Sequence, residues 1–229
     1  MRKTFLALVL LLALGLPLQA QLEDKVADRF YESATILDEL VNAPDGGMPT
    51  ELLRRAECVA VIPAVKKAAI GIGGNYGRGV VSCKKDAGKG PWGPPSMISL
   101  SGGSFGIQLG GQSTDVVMLF MTPDSIKHLL KDKVTLGGDV SAAAGPKGRE
   151  ASAQTNATMR AEILTYARSR GLFAGISLKG AILKPDGDAN KSLYGRPVEA
   201  KELLLEGKGT IPAPAQKFMD TLARTSSGS

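Results

Sequence analysis

Between residues 58 and 121 the chain reads Cys58-Val59-Ala60-Val61-Ile62-Pro63, then KAAIGIGG (67–74), GVVSCK (79–84), SMISLS (96–101), SFGIQL (104–109) and DVVMLFM (115–121). Each is a short apolar or alternating run bounded by Gly, Asn, Pro or Ser, which is the pattern of a strand. The gaps are too short for crossover helices, which need about a dozen residues, so the strands pair mainly antiparallel. Pro63, with no N–H for a ladder, is expected to end the first run. The glycines of Gly71–Gly79 (GIGGNYGRG) are read as a hairpin whose backbone uses positive φ.

The flanks of this block are helical. Upstream, Leu22, Val26, Phe30, Ala34, Leu37, Leu40 and Val41 recur every three or four residues, the stripe of an amphipathic helix ended by the turn cluster Asn42–Gly47. Glu23, Asp24, Asp28, Glu32, Asp38 and Glu39 outnumber Lys25 and Arg29 on its polar side, whereas membrane-surface helices carry basic faces. Packing against the domain is therefore the favoured reading and lipid contact the alternative. A short helix is expected over Glu51–Ala56, and others at Ser125–Lys131, Asp188–Tyr194 and Glu199–Glu206. Gly137–Gly148 reads as a small-residue loop, Thr158–Arg168 as either helix or strand, and Phe173–Leu183 as a late strand element. The chain from Thr225 (TSSGS) reads as a disordered end. The fold class is α+β: a mainly antiparallel sheet, open or barrel-like, with an N-terminal amphipathic helix and short flanking helices.

Composition narrows the function. With 229 residues, 43% of them apolar, the chain supports one core and no repeat or interdomain linker is visible. Two Cys and one His cannot supply a four-ligand zinc site, and no metal or cofactor is expected. Arg2-Lys3, the apolar run Phe5–Leu16 and Ala20 before the expected cut have the form of a secretory signal peptide over residues 1–20, so a periplasmic or secreted location is expected. Without Arg2 and Lys3, 26 basic and 22 acidic residues remain, a net charge of about +4 that suits an anionic surface. Only 5% of residues are aromatic, too few to interleave with these cations as base-stacking platforms, so nucleic acid is not an expected partner.

Three catalytic or ligand motifs are approached and missed. Gly102-Gly103-Ser104-Phe105-Gly106 spells a nucleophile-elbow string, with Asp115 and His128 following in hydrolase order, but the residues after Ser104 are a Gly-punctuated β pattern where the elbow needs a helix. The glycines from Gly71 fit neither the dinucleotide fingerprint, because Tyr76 stands at the sixth place, nor a P-loop, which needs Gly-Lys-Ser/Thr. Asp186-Gly187-Asp188-Ala189-Asn190 begins like a calcium loop but has Lys191 and Pro197 where Gly and Glu belong, so Asp188 is read as a helix cap. No catalytic residue is assigned. Cys58 and Cys83 lie on two of the strands and are read either as a disulfide or as two buried thiols, since an exported chain meets oxidising conditions but the strand order is not legible.

Basic residues gather at strand ends and Gly-rich turns: Lys66-Lys67, Arg78, Lys84-Lys85, Lys147, Arg149, Arg168 and Arg170. Arginine beside exposed turn amides makes a phosphate receptor, because guanidinium is bidentate and turn N–H groups form anion-binding concavities.

Several stretches together resemble the SYLF-domain family. They are Leu52–Pro63 (LLRRAECVAVIP), Lys67-Ala68-Ala69 leading into the Asn75–Gly79 turn, Gly102–Asp115 (GGSFGIQLGGQSTD), Ala143–Arg149 (AAGPKGR), Tyr166–Gly175 (YARSRGLFAG) and Pro185–Gly195 (PDGDANKSLYG), in collinear order from about Phe30 to Leu205. The resemblance implies a non-enzymatic domain, here spanning 49–208 between an N-terminal helix-and-turn segment (21–48) and a C-terminal tail (209–229). It also implies binding of phosphoinositide or other anionic phospholipid headgroups, and in eukaryotic members of actin. For an exported chain the expected partner is an anionic phospholipid surface or an envelope protein, and actin is not expected. Lys67, Arg78, Arg149, Arg168 and Arg170, the basic residues in or beside the matched stretches, are the expected headgroup ligands.

Overall fold

The computed structural model describes residues 24–43, 47–68, 74–102, 113–147, 160–169 and 172–227. The signal-peptide reading, the run Ser104–Leu109, and Arg149 and Arg170 fall outside them. Among the described residues nine strands form one curled sheet: β1 (Cys58–Ala68), β2 (Gly74–Cys83), β3 (Ser96–Gly102), β4 (Thr114–Phe120), β5 (Val134–Thr135), β6 (Ala142–Ala144), β7 (Ile163–Ser169), β8 (Leu172–Gly175) and β9 (Ala181–Pro185). The order is β5-β9-β3-β2-β1-β4-β7-β6, with β8 pairing the second half of β7 beyond β6. All these pairings are antiparallel except β6–β7.

Period-two alternation sends the sheet's side chains into two cores. Val59, Val61, Val80, Met97, Val117, Leu119 and Tyr166 pack with Phe30, Leu37 and Leu40 of helix α1 (residues 24–41), with Leu53 of α2 (Thr50–Arg55), and with Phe218 and Leu222 of a C-terminal helix. Cys58, Ala60, Ile62, Val81, Ile98, Leu100, Met118 and Phe120 form the other core, under α4 (Pro123–Leu129) and α6 (Ala200–Leu204). The remaining helices are the single turn α3 (Lys85–Gly88), α5 (Gly187–Tyr194) and the C-terminal α7 (Gln216–Ser227). The stripe of α1 is spent on the core: Phe30, Leu37 and Leu40 are fully buried, as the packing reading expects.

Several expectations need correction. Pro63 does not end β1, which runs through it to Ala68. The strand accommodates the proline with an irregularity between Val61 and Val65: Ala64 takes φ 49°, and its N–H donates out of the ladder to the Asp115 carboxylate at 2.9 Å. Gly77 and Gly79 are strand residues without positive φ; they are needed because β1 leans over them. The expected loop at Gly137–Gly148 contains β6, whose alanines pair with Ile163–Thr165. Thr158–Arg168, read as either helix or strand, resolves as β7 from Ile163, and the late element is two strands, β8 and β9. Asp186 caps α5 by accepting the Ala189 N–H; Asp188 lies inside that helix. The end from Thr225 is helical to Ser227, with the Thr225 hydroxyl bonded to the Thr221 carbonyl at 2.7 Å and Phe218 and Leu222 buried.

Cys58 and Cys83 are bonded as a disulfide. They are directly opposed at the base of the β1–β2 hairpin, the short cross-strand placement that brings two Cβ atoms within bridging range.

Candidate functional site

The irregularity in β1 sets the site. Beside it lies a cleft of about 420 Å³ against α1, lined by Lys25, Asp28, Arg29 and Glu32 from the helix, Pro63, Ala64 and Lys66 from β1, and Tyr76, Gly77 and Arg78 from β2. Lys25 and Arg29 are four apart and so share one helix face, beside the buried Val26 and Phe30. Tyr76 and Arg78 are two apart on β2 and project to the same side of the sheet.

Two guanidiniums, those of Arg29 and Arg78, line it from opposite sides. Arg78 donates through Nε to the Tyr76 hydroxyl at 2.8 Å and lies 3.3 Å from the Asp186 carboxylate, which is the cap of α5. The Tyr76 bond and Asp186 hold Arg78 above its ordinary range. Arg29 is pushed below its ordinary range, first by burial and then by the like charge of Arg78, with Asp186 opposing. Four cations therefore face two carboxylates in the lining, and Asp186 behind Arg78 offsets part of the excess. Such a cleft can take an oxyanion between fixed donors from two different elements.

Along the same helix a second cleft of about 320 Å³ is lined by Tyr31, Glu32, Thr35, Ile36, Ala64, Ser113, Asp115 and Arg168. Here the chemistry is already complete. Arg168 donates through Nε to Asp115 at 2.7 Å, pairs also with Glu39 of α1, and stacks on the Phe173 ring. Burial pushes the Asp115 carboxyl up and the Ala64 N–H pulls it back; the adjoining guanidinium further favours its charged form. Asp115 thus joins β4 to both β1 and β7 and fixes the Ala64 turn of the cleft. With side chains only 21% and 17% exposed, Arg168 and Asp115 form a partly buried pair, in which removing one charge leaves the other uncompensated. Asp115→Asn, which keeps an acceptor for Ala64 but removes the charge facing Arg168, should cost about 2 kcal/mol in urea unfolding. An unchanged midpoint would remove Asp115 from this anchoring role.

Of the expected ligands, the structure places Arg78 in the cleft and commits Arg168 to two carboxylates. Lys67 is paired through its backbone with Asn75 on the ribbon, its side chain lying outside the described part. Lys25, Arg29 and Lys66 were not among them. The signal for the first two was present in their i, i+4 spacing beside the apolar stripe, but the acidic total of the helix masked it. Asp115, the acid of the hydrolase-order string, is occupied by Ala64 and Arg168. Among the described residues no group of His, Cys, Asp and Glu is arranged to hold a metal, and no helix is long and apolar enough to cross a membrane.

Comparison with known proteins places this fold. The family model described as Ysc84, Las17-binding protein actin regulator, matches residues 101–225. The chain belongs to the Ysc84 (SYLF) family. Over 204 residues it is 35% identical to LAS seventeen-binding protein 3 of Saccharomyces cerevisiae, a match covering 87% of this chain and 43% of that protein. It is 31% identical over 211 residues to Protein YSC84 of the same yeast, covering 90% of this chain and 44% of the relative. With the SH3 domain-containing YSC84-like protein 1 of Homo sapiens it shares 31% identity over 176 residues, covering 76% of this chain and 50% of that one. The chain thus spans half or less of the length of these relatives.

Proposed function

We propose that this Ysc84-family chain is a non-enzymatic binding module that holds the phosphate of an anionic phospholipid headgroup in the cleft between α1 and the β1–β2 ribbon, acting as an exported protein at an envelope membrane surface. The observation that carries the reading is the convergence of Lys25, Arg29, Lys66 and Arg78 on one concavity, with Arg29 and Arg78 close enough to repel. A phosphate between them replaces that repulsion with charge-assisted hydrogen bonds. The cations are partly solvated and opposed by Asp28 and Glu32, so affinity is weak and falls with salt.

Vesicle co-sedimentation of the chain from Gln21 tests this. Binding should rise with phosphatidylglycerol content and fall as ionic strength increases. Arg29→Gln/Arg78→Gln should weaken it by about tenfold, the value of roughly 1.4 kcal/mol of lost charge-assisted bonding. Arg149→Gln/Arg170→Gln serves as the comparison. If the first pair, still folded by circular dichroism, sediments like the parent, the cleft is not the site.

A second reading follows from the family description, Las17-binding protein actin regulator, and from the name of LAS seventeen-binding protein 3: the domain docks a protein partner. On that reading the chain ignores vesicles and is recovered in a stoichiometric protein complex.

A further inference from the structure

The cleft has two halves that belong to different elements. Lys25, Asp28, Arg29 and Glu32 sit on α1, while Lys66, Tyr76 and Arg78 sit on the β1–β2 ribbon. Among the described residues, the ion pairs tying α1 to its surroundings are in its C-terminal half, Glu39 with Arg168 and Asp38 with Arg224. Tyr31, at mid-helix, has the Lys217 ammonium of α7 over its ring at 3.6 Å. The N-terminal half is held by the buried Val26 and Phe30, and what it presents across the cleft to Arg78 is another guanidinium. Apolar contact and the attraction of Asp186 for Arg29 therefore hold this half down, while the like charge of Arg78 opposes them.

We propose that the cleft is a clasp: a phosphate-bearing anion bound between Arg29 and Arg78 fastens the N-terminal half of α1 to the sheet, so that headgroup binding and helix docking are thermodynamically linked. This rests on the cleft being the anion site. The chemistry is that of one tetrahedral oxyanion accepting from donors on both elements; with α1 undocked, half of those donors are gone. Linkage then runs both ways: anion favours the docked helix, and a poorly docked helix binds anion weakly.

The test is hydrogen exchange on the chain from Gln21, following amides in residues 24–33, with two probes: glycerol 3-phosphate, and vesicles containing phosphatidylglycerol. With either probe at about ten times its dissociation constant, exchange of these amides should slow roughly tenfold, while amides of α4 and β9 hold their rates. Slowing by vesicles alone assigns the anion to a membrane surface; slowing by both shows that the phosphate suffices. Arg78→Gln sharpens the result by its sign. Without ligand it should slow exchange in residues 24–33, because the repulsion on Arg29 is gone and Asp186 remains, and at the same ligand concentration it should cut the further slowing from roughly tenfold toward twofold. Faster exchange in unliganded Arg78→Gln would overturn the clasp, since it makes Arg78 a plain structural prop. Measured binding with unchanged exchange in residues 24–33 would also overturn the clasp while sparing the headgroup site. Absence of binding by either probe would overturn both.

Discussion

Replacing both cysteines, Cys58→Ala/Cys83→Ala, should lower stability by about 3–4 kcal/mol and leave vesicle affinity unchanged wherever the protein remains folded. The bond links residues 25 apart in sequence, so the chain-entropy argument assigns the oxidised unfolded ensemble a loss of about 3.5 kcal/mol in freedom. The bridge also sits where loop closure matters most. Cys58 opens β1 and Cys83 closes β2, and the bond ties the base of the hairpin while the cleft lies toward its other end. Both sulfurs are buried among Ala60, Val81, Met118 and Phe120, so their loss also removes packing. Urea midpoints of the parent, the reduced parent and the double variant give the measurement. Agreement of all three within about 0.5 kcal/mol would deny the bridge its stabilising role.

Gly79→Ala should cost about 3 kcal/mol, for a reason that has nothing to do with backbone freedom. An added Cβ would stand 2.2 Å from the Val61 carbonyl oxygen and 2.8 Å from the Ile62 Cα, both main-chain atoms of the adjoining strand. Neither can swing away, so the β1–β2 pair must separate, and overpacking of this kind costs typically 1–3 kcal/mol and sometimes more. Gly180 provides the contrast. It has φ +84° with nothing within 4 Å of an added Cβ, so Gly180→Ala meets only the left-handed penalty of about 1–2 kcal/mol. Chemical denaturation should rank Gly79→Ala as the more damaging; the reverse order would mean that β1 does not press on Gly79. Because Gly77 is similarly covered by Ile62 and Val65, the same close approach runs along the stretch that presents Tyr76 and Arg78 to the cleft.

The expectations that held are those resting on local pattern. The α1 stripe, the strands around Val59, Val80, Ile98 and Val117, and the antiparallel order implied by short connections all follow from side-chain periodicity and loop length. The ones that failed turned on partners remote in sequence. Pro63 breaks a ladder only if no acceptor catches the next N–H, and Asp115, 51 residues from Ala64, supplies it. A run of three alanines becomes β6 only because β7 offers an open edge. Residues 216–227 carry few apolar side chains, and their helix is stable because Phe218 lies against Phe30 of α1, with ring centroids 6.1 Å apart, and Leu222 is buried.

The candidate site divides the same way. That arginines lie near Gly-rich strand ends is written in the chain, and Arg78 is one of them. Which cations share a cavity is not, because that depends on where α1 lies against the end of the β1–β2 ribbon. Tertiary packing puts Lys25, Arg29 and Arg78 in one lining and pairs Arg168 with Asp115 and Glu39. By itself the sequence determined the α1 stripe, the central strands, their mainly antiparallel pairing and the family resemblance, since apolar period acts within a few residues. Only the folded chain decided the bridge between Cys58 and Cys83 and the grouping of charges, because electrostatic contact is set by distance in space between segments far apart along the backbone.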